Sequence, residues 1–205
     1  MYNELHAPDL LPYPDVLIAS VRRLLDAASA AMGDEEAAAA SLPAAAAPAA
    51  ALVTHARRVE AGRLTHLLRA TLRARLRKIE AGWAALAADA GARVRLSAAE
   101  QDFLDGYAAA VKEAFVGGFL GLLPEKVRGV DADTDGRVPI VVKPRLDAFV
   151  WCKRGGGGGG GADLVVSIDD GPEASATISI ADGDVVCVRY RSIQALVEAG
   201  DLQLI

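Results

Sequence analysis

Cysteine is scarce in this chain of 205 residues, which has only Cys152 and Cys187. Two cysteines cannot build a disulfide framework, and no secretory n-region, h-region and cleavage pattern opens the sequence, so a reducing compartment is expected. Aromatic residues are only 5% of the chain, and histidine occurs three times. No stretch approaches the roughly 20 strongly apolar residues of a membrane helix, which excludes a membrane span. A basic excess is missing as well. Lys and Arg number 22 against 27 Asp and Glu, a net charge of −5, and that is the wrong balance for an autonomous nucleic-acid binder.

What is plentiful is alanine. It supplies about 42 of the hydrophobic residues, while Leu, Ile, Val and Phe together come to about 55, more than a quarter of the chain. That fraction lies above the roughly 20% below which chains tend to stay disordered. The core is therefore real but thin, and thin cores lean on association. Charge is also uneven: residues 51–90 carry eight Arg or Lys and three acids, so the rest of the chain sums to −10.

The order of patterns predicts an α+β chain, a helical bundle followed by a small β-rich domain. Pro14 and Asp15 suit a first turn, and Val16, Leu17, Val21, Leu24 and Leu25 recur at helical spacing to about Met32. Pro43 and Pro48 break an alanine tract, so residues 33–50 read as an exposed low-complexity loop. A long helix from about Ala49 toward Ala90 carries the row Leu64, Leu68, Leu72, Leu76 and Ile79, which needs a packing partner. Ser97 and Glu100 form a capping box for a third helix running to about Leu122, with Phe103, Leu104, Tyr107, Val111, Phe115, Phe119 and Leu122 on its apolar side. The helical domain is thus residues 1–124, with 125–139 a linker. Residues 140–205 form the β-rich domain, with strands near 146–153, 163–169, 176–181, 184–190 and 202–205, a hairpin turn at Asp182-Gly183, and a short helix at 191–199. The glycine run 155–161 reads as a flexible insertion.

Motifs for chemistry are incomplete. Asp131, Asp133, Asp135 and Gly136 match the first half of a calcium-binding loop, but Val142 stands where a bidentate Glu is required and Pro139 interrupts the exit. The glycine run lacks the Lys-Ser or Lys-Thr ending of a phosphate loop. His6, His55 and His66 have no metal spacing, and Cys152 and Cys187 read as buried small apolar residues. With no nucleophile elbow, no cofactor motif and no metal set, an enzyme is not expected. Arg69, Arg73 and Arg77 form a ridge beside the leucine row, with Arg75 and Lys78 to its side. Two readings stay open. The ridge pairs with acids on neighbouring subunits or with Glu80, or residues 57–78 are the working surface of a nucleic-acid-binding adaptor. Aromatic residues that would stack bases are missing there, which favours pairing.

The segments Ala7–Leu11, Leu68–Glu80, Leu96–Glu100, Val142–Val150 and Arg189–Ile205 together resemble the Sld-five-type subunits, also called subunit four, of the eukaryotic GINS complex. Ala7-Pro8-Asp9-Leu10-Leu11 resembles that family's Ala-Pro-Glu-Leu-Leu opening. Leu68 through Glu80 is similar to its Tyr-Leu-Arg-x-Arg-Leu-x-Lys-Ile-Glu helix, and Leu96-Ser97 through Glu100 to its helix start. Val142-Lys143-Pro144-Arg145-Leu146-Asp147-Ala148-Phe149-Val150 and the ending Arg189-Tyr190-Arg191-Ser192-Ile193, with Leu196, Val197, Gly200 and Leu202-Gln203-Leu204-Ile205, complete the likeness in order. The family normally begins earlier, so Met1 falls inside its opening region.

The resemblance implies a non-catalytic scaffold subunit of a four-subunit nuclear complex in DNA replication. Its implied partners are three other GINS subunits, the MCM helicase ring with its Cdc-type cofactor, and the leading-strand DNA polymerase epsilon, with DNA contact indirect or weak. The expected subunit interface comprises Leu64, Leu68, Arg69, Leu72, Arg73, Leu76, Arg77, Ile79, Phe115 and Phe119. Leu146, Phe149, Tyr190, Ile193, Leu196, Leu202, Leu204 and Ile205 are expected to form the β-domain core and support assembly.

Overall fold

The computed structural model describes residues 2–39, 41, 43, 47–124, 128–130, 141–154, 163–169 and 175–205. The calcium-like loop at 131–142, apart from 141 and 142, the glycine run 155–161 and most of the linker 125–139 lie outside the described residues. The chain divides into two compact units, Pro14–Arg73 on one hand and Met1–Tyr13 with Ala74–Ile205 on the other.

The first unit holds helix α2 (Asp15–Ala39) and the opening of the long helix α3 (Ala47–Ala88). The connection between them is shorter than the expected loop over 33–50. Alanine is the strongest helix former, so the tract extends both helices. Pro48 falls in the first turn of α3, where a missing N–H costs nothing. Arg57 pairs with Glu35 and Arg58 with Glu36. Among the described residues of this unit only Ile18 and Thr54 are buried.

The second unit contains α1 (Tyr2–His6), the remainder of α3, α4 (Ala90–Arg93), α5 (Ala98–Gly117), a 3-10 turn (Leu120–Leu122), β1 (Phe149–Arg154), β2 (Leu164–Asp169), β3 (Ser175–Ile180), β4 (Val185–Arg189), α6 (Tyr190–Ala199) and β5 (Leu202–Leu204). The α3 backbone departs from helical geometry at Gly82. Helix α5 opens with both hydrogen bonds of the Ser97/Glu100 capping box. It ends before the expected Leu122, at Gly117, where glycine weakens the helix. A Cβ on Gly118 would lie 2.9 Å from the Ala114 carbonyl oxygen. Phe115, Phe119 and Leu122, expected to be buried, are therefore on an exposed end.

Two apolar clusters organise this unit. Leu10, Ile79, Leu96 and Leu104 form one, with Leu76, Trp83, Leu86 and Phe103 around it. The other joins Ala7 and Leu11 to Cys152, Val166, Ile180, Val188, Tyr190, Ile193, Val197, Leu202 and Leu204. The N-terminal residues thus contribute side chains to both.

The strands make two antiparallel sheets, β4-β1-β5 and β2-β3. This corrects the expected hairpin at Asp182-Gly183. The turn is present, with Gly183 at φ +90°, but β4 pairs with β1 rather than with β3, so the turn carries the chain from one sheet to the other. The sheets share one core because both turn alternate residues toward it. At the far end Gly200, at φ +86°, caps α6 through its N–H to Val197 and sends the chain into β5, which pairs with β1. Leu202 and Leu204 are fully buried. Deleting residues 202–205 removes both and is expected to lower unfolding stability by about 3–6 kcal/mol, from roughly 1.5–3 per large apolar side chain. Urea denaturation of full-length and truncated chains measures this, and equal midpoints would refute it.

Candidate functional site

Arg75 lies three residues after Leu72 and four before Ile79, which places it on the apolar stripe of α3. Its side chain is 0% exposed. A guanidinium presents five N–H donors and tolerates burial only when they are satisfied. Here Nε donates to Glu100 Oε1 at 2.8 Å and Nη2 to Glu100 Oε2 at 3.1 Å, a bidentate pair. Nη1 donates to Glu4 Oε2 at 3.0 Å and to the Leu11 carbonyl at 2.7 Å. Nη2 also reaches the Arg95 carbonyl at 3.0 Å. The Tyr13 ring lies 5.2 Å from the guanidinium carbon. Burial works against the Arg75 charge, but hydrogen bonds and negative charge from Glu100 and Glu4 outweigh it and raise its pKa further. The cation is permanent.

The network continues along the N-terminal segment. Lys78 Nζ donates to Glu4 Oε1 at 3.0 Å and to the Asp9 carbonyl at 2.8 Å. Arg95 reaches Asp9 Oδ2 at 3.2 Å and Glu198 Oε1 at 2.8 Å. The buried Tyr190 hydroxyl donates to Asp9 Oδ1 at 2.5 Å, and Gln194 Nε2 to Asp9 Oδ2 at 2.8 Å. Asn3 accepts from the Leu204 N–H at 2.9 Å and donates to the Leu202 carbonyl at 3.0 Å. Residues 3–11 therefore strap α3 and α5 to the β sheet and α6. Every carboxylate named here has a cationic or hydrogen-bonding partner, an arrangement suited to holding elements in place. Among the described residues no group of three or more His, Cys, Asp or Glu is arranged to hold a metal.

The expected site residues fall into three groups. Ile79, Tyr190, Ile193, Leu202 and Leu204 are buried. Leu68, Leu72, Leu76, Leu146 and Leu196 are half-buried. Leu64, Phe115, Phe119, Phe149 and Ile205 are exposed. Phe149 and Ile205 are thereby corrected as core residues, since strand alternation turns them away from Cys152 and Leu204. Cys187 is corrected likewise, being exposed while Cys152 is buried. Arg69, Arg73 and Arg77 are exposed, and Arg77 does not pair with Glu80. The reading that put Arg75 beside this ridge fails because Arg75 points inward. The Arg75 network and the role of Glu4, Asp9 and Asn3 were missed by sequence reasoning. The signal was a charged residue inside the leucine register.

Helices ahead of a small antiparallel β domain, locked by a structural ion network, define a class of helical-bundle proteins with a C-terminal β module. A family model described as the GINS complex protein helical bundle domain matches residues 25–115. Another, the DNA replication complex GINS protein SLD5 C-terminus, matches residues 144–205. The DNA replication complex GINS protein SLD5 of Eremothecium gossypii is 29% identical over 217 residues, spanning 99% of this chain and 80% of that protein. The Arabidopsis thaliana protein of the same name is 26% identical over 99% of this chain and 86% of its own length. That of Schizosaccharomyces pombe is 25% identical over 99% and 87%. The chain belongs to the SLD5 family of GINS complex subunits, proteins of DNA replication.

Removing one partner of a buried ion network leaves the others uncompensated, at about 3–5 kcal/mol. Arg75→Met is expected to lose that much, and adding Glu4→Gln and Glu100→Gln to recover part of it, because the stranded carboxylates are then gone. Chemical denaturation of the single, double and triple variants checks this, and strict additivity would contradict it.

A second expectation concerns alkaline pH. Burial, then donation to Asp9 and the negative charge of Asp9 and Glu198, hold the Tyr190 hydroxyl well above its ordinary pKa of 10.0. Burial, with the nearby Cys187, pushes the Cys152 thiol up from 9.0 to about 11. Both groups are more acidic in the unfolded chain. The stability they add is whole below about pH 9 and drains as pH rises through 9–11 and beyond. Melting temperature should therefore fall across this window, and Tyr190→Phe should flatten the part above pH 10. An unchanged profile in that variant would count against the assignment.

Proposed function

We propose that the chain is a scaffold subunit whose first helices complete a layer shared with sister GINS subunits. The supporting observation is how little of α2 and the opening of α3 is buried. Among the described residues of Pro14–Arg73 only Ile18 and Thr54 are buried, while Val16, Leu17, Leu24, Leu52, Val53, Val59 and Leu64 are exposed. Two helices of this length with so little buried apolar surface lack the driving force to stay ordered alone, since helical stability in proteins comes from packing an apolar face. Partner helices supply it. In this reading the expected interface from Leu64 to Leu76, with Phe115 and Phe119, is shared between subunits, whereas Ile79 is taken up by the chain's own core beside Leu10, Leu96 and Leu104; residues 1–124 act as the helical domain and 140–205 as the β domain. The assembled complex supports the MCM helicase ring with its Cdc-type cofactor, meets the leading-strand polymerase epsilon, and works in the nucleus.

Co-expression with three sister subunits followed by size-exclusion chromatography tests the proposal. A four-component particle is expected from the wild-type chain. Leu17→Glu with Leu64→Glu should abolish it, although both side chains are exposed in this chain and should leave its own fold intact by circular dichroism. A stable, well-dispersed wild-type monomer that ignores the sister subunits would refute shared-layer packing. A second reading rests on the exposed ridge of Arg69, Arg73 and Arg77, which has no acidic partner among the described residues. It requires steeply salt-dependent nucleic-acid binding by the isolated chain, lost on changing all three to Gln.

A further inference from the structure

The outward face of the β4-β1-β5 sheet is unlike an ordinary solvated surface. Alternation along β1 puts Phe149, Trp151 and Lys153 on the side opposite buried Cys152. The register sets Arg189 beside Phe149, Cys187 beside Trp151, and Val185 and Gln203 on either side of Lys153. Ile205 donates its backbone N–H to the Trp151 carbonyl at the neighbouring edge. Phe149 is 64% exposed, Trp151 57%, Ile205 53% and Val185 52%. In a chain so poor in aromatic residues, an exposed Trp and Phe two residues apart on one strand form a concentrated apolar surface. Trp and Arg are also the residues most enriched at the energetic centres of protein interfaces.

The charge around this surface has one sign at one end. The ionisable residues on its strand positions are Lys153, Arg189 and Cys187. At the Phe149 end the turn before β1 adds exposed Lys143 and Arg145, and the start of α6 adds exposed Arg191. Among the described residues the acid there is Asp147, held by Arg191 at 3.1 Å. Asp182 and Asp184 lie at the opposite end, in the turn before Val185. The face is thus apolar at its centre and cationic toward Phe149.

We propose that this face reversibly docks an acidic segment of a partner protein, an apolar side chain seating on Trp151 and carboxylates lying over Lys143 and Arg145 at its Phe149 end. Two observations select this occupant. A second copy of the chain would bring like charges together at the Phe149 end, which opposes self-association. A nucleic-acid strand stacks successive bases on open rings, but the Arg189 guanidinium already lies 5.6 Å from the Phe149 centroid and leaves Trp151 as the one open platform. The docking site is separate from the shared helical layer, so it stands or falls independently of it.

The test selects a displayed random-peptide library on the full chain co-expressed with its sister subunits, then measures synthetic copies of the enriched peptides by fluorescence anisotropy. Enriched peptides should combine Asp or Glu with Leu, Phe or Trp. Trp151→Glu should weaken their binding at least tenfold and Arg145→Glu several-fold, with affinity falling as salt rises, while Leu122→Glu at the exposed end of α5 changes nothing. Both altered side chains face outward, and an unchanged melting temperature confirms that the fold is intact. Absence of enrichment, enrichment of basic peptides, or binding indifferent to Trp151→Glu would overturn the proposal. Tighter binding of a 20-nucleotide oligothymidine, lost in Trp151→Glu, would reassign the face to single strands. Loss of the four-component particle in Trp151→Glu would show the face permanently covered by a sister subunit, and would overturn reversible docking.

Discussion

A fully buried guanidinium with every donor satisfied is the constraint on which the rest of the larger unit depends. Taking Arg75 out of water costs several kcal/mol, and attraction to a single carboxylate offsets this only with good geometry and further hydrogen bonds. The acceptors come from four places in the sequence: Glu4, Leu11, Arg95 and Glu100. None is local to α3. Arg75 can therefore be buried only after the N-terminal segment, the α4–α5 connection and the start of α5 have all arrived, which makes this region of the fold cooperative.

Glu100 shows how tightly the parts are tied. The carboxylate that chelates Arg75 is also the one that caps α5, accepting the Ser97 N–H at 3.0 Å. Helix initiation and guanidinium burial thus share the Oε2 oxygen of one carboxylate. Asp9 does a similar job at the other end of the strap, receiving Arg95, Gln194 and Tyr190 together. Such networks are weak sources of net stability, because apolar replacements of similar volume can serve as well. Their contribution is uniqueness, since any misplaced strap strands a charge in a dry site. A subunit that must present fixed surfaces to several partners has use for that property. The ridge of Arg69, Arg73 and Arg77, by contrast, lies in water and imposes no such condition on the fold.

The parts legible in the sequence were those with local causes. Periodicity found α2, α3 and α5, the Ser97/Glu100 spacing found a helix start, and Asp182-Gly183 and Gly200 found backbone turns, because each of these signals acts over a few residues. Strand partners were not legible. The turn at Gly183 has the chemistry of a hairpin, yet β4 finds a better partner in β1, a choice made by core packing some 35 residues away in sequence. The strap was illegible for the same reason. Residues 2–6 are too few for a period, and Glu4 and Asp9 look like solvated acids until Arg75, Lys78 and Arg95 are placed beside them. The resemblance to the GINS family agreed with the order of domains read from the patterns but did not reveal this wiring, and Phe149 and Ile205 were read as core when alternation turns them outward.

That misreading exposes a general consequence of a thin sheet. A three-stranded sheet packed on one side presents half its side chains to water, and the economical choice there is a polar residue. Lys153 and Gln203 follow this rule, whereas Phe149, Trp151, Val185 and Cys187 do not. Their apolar character contributes nothing to the inner core, which Cys152, Val188, Leu202 and Leu204 already fill. It cannot be explained by strand propensity alone, because Thr would satisfy β geometry without exposing a ring. The apolar outer face and the sparsely buried helices of Pro14–Arg73 thus share a physical cause. In both places apolar surface exceeds what the described residues cover, and a partner that hides it gains that free energy.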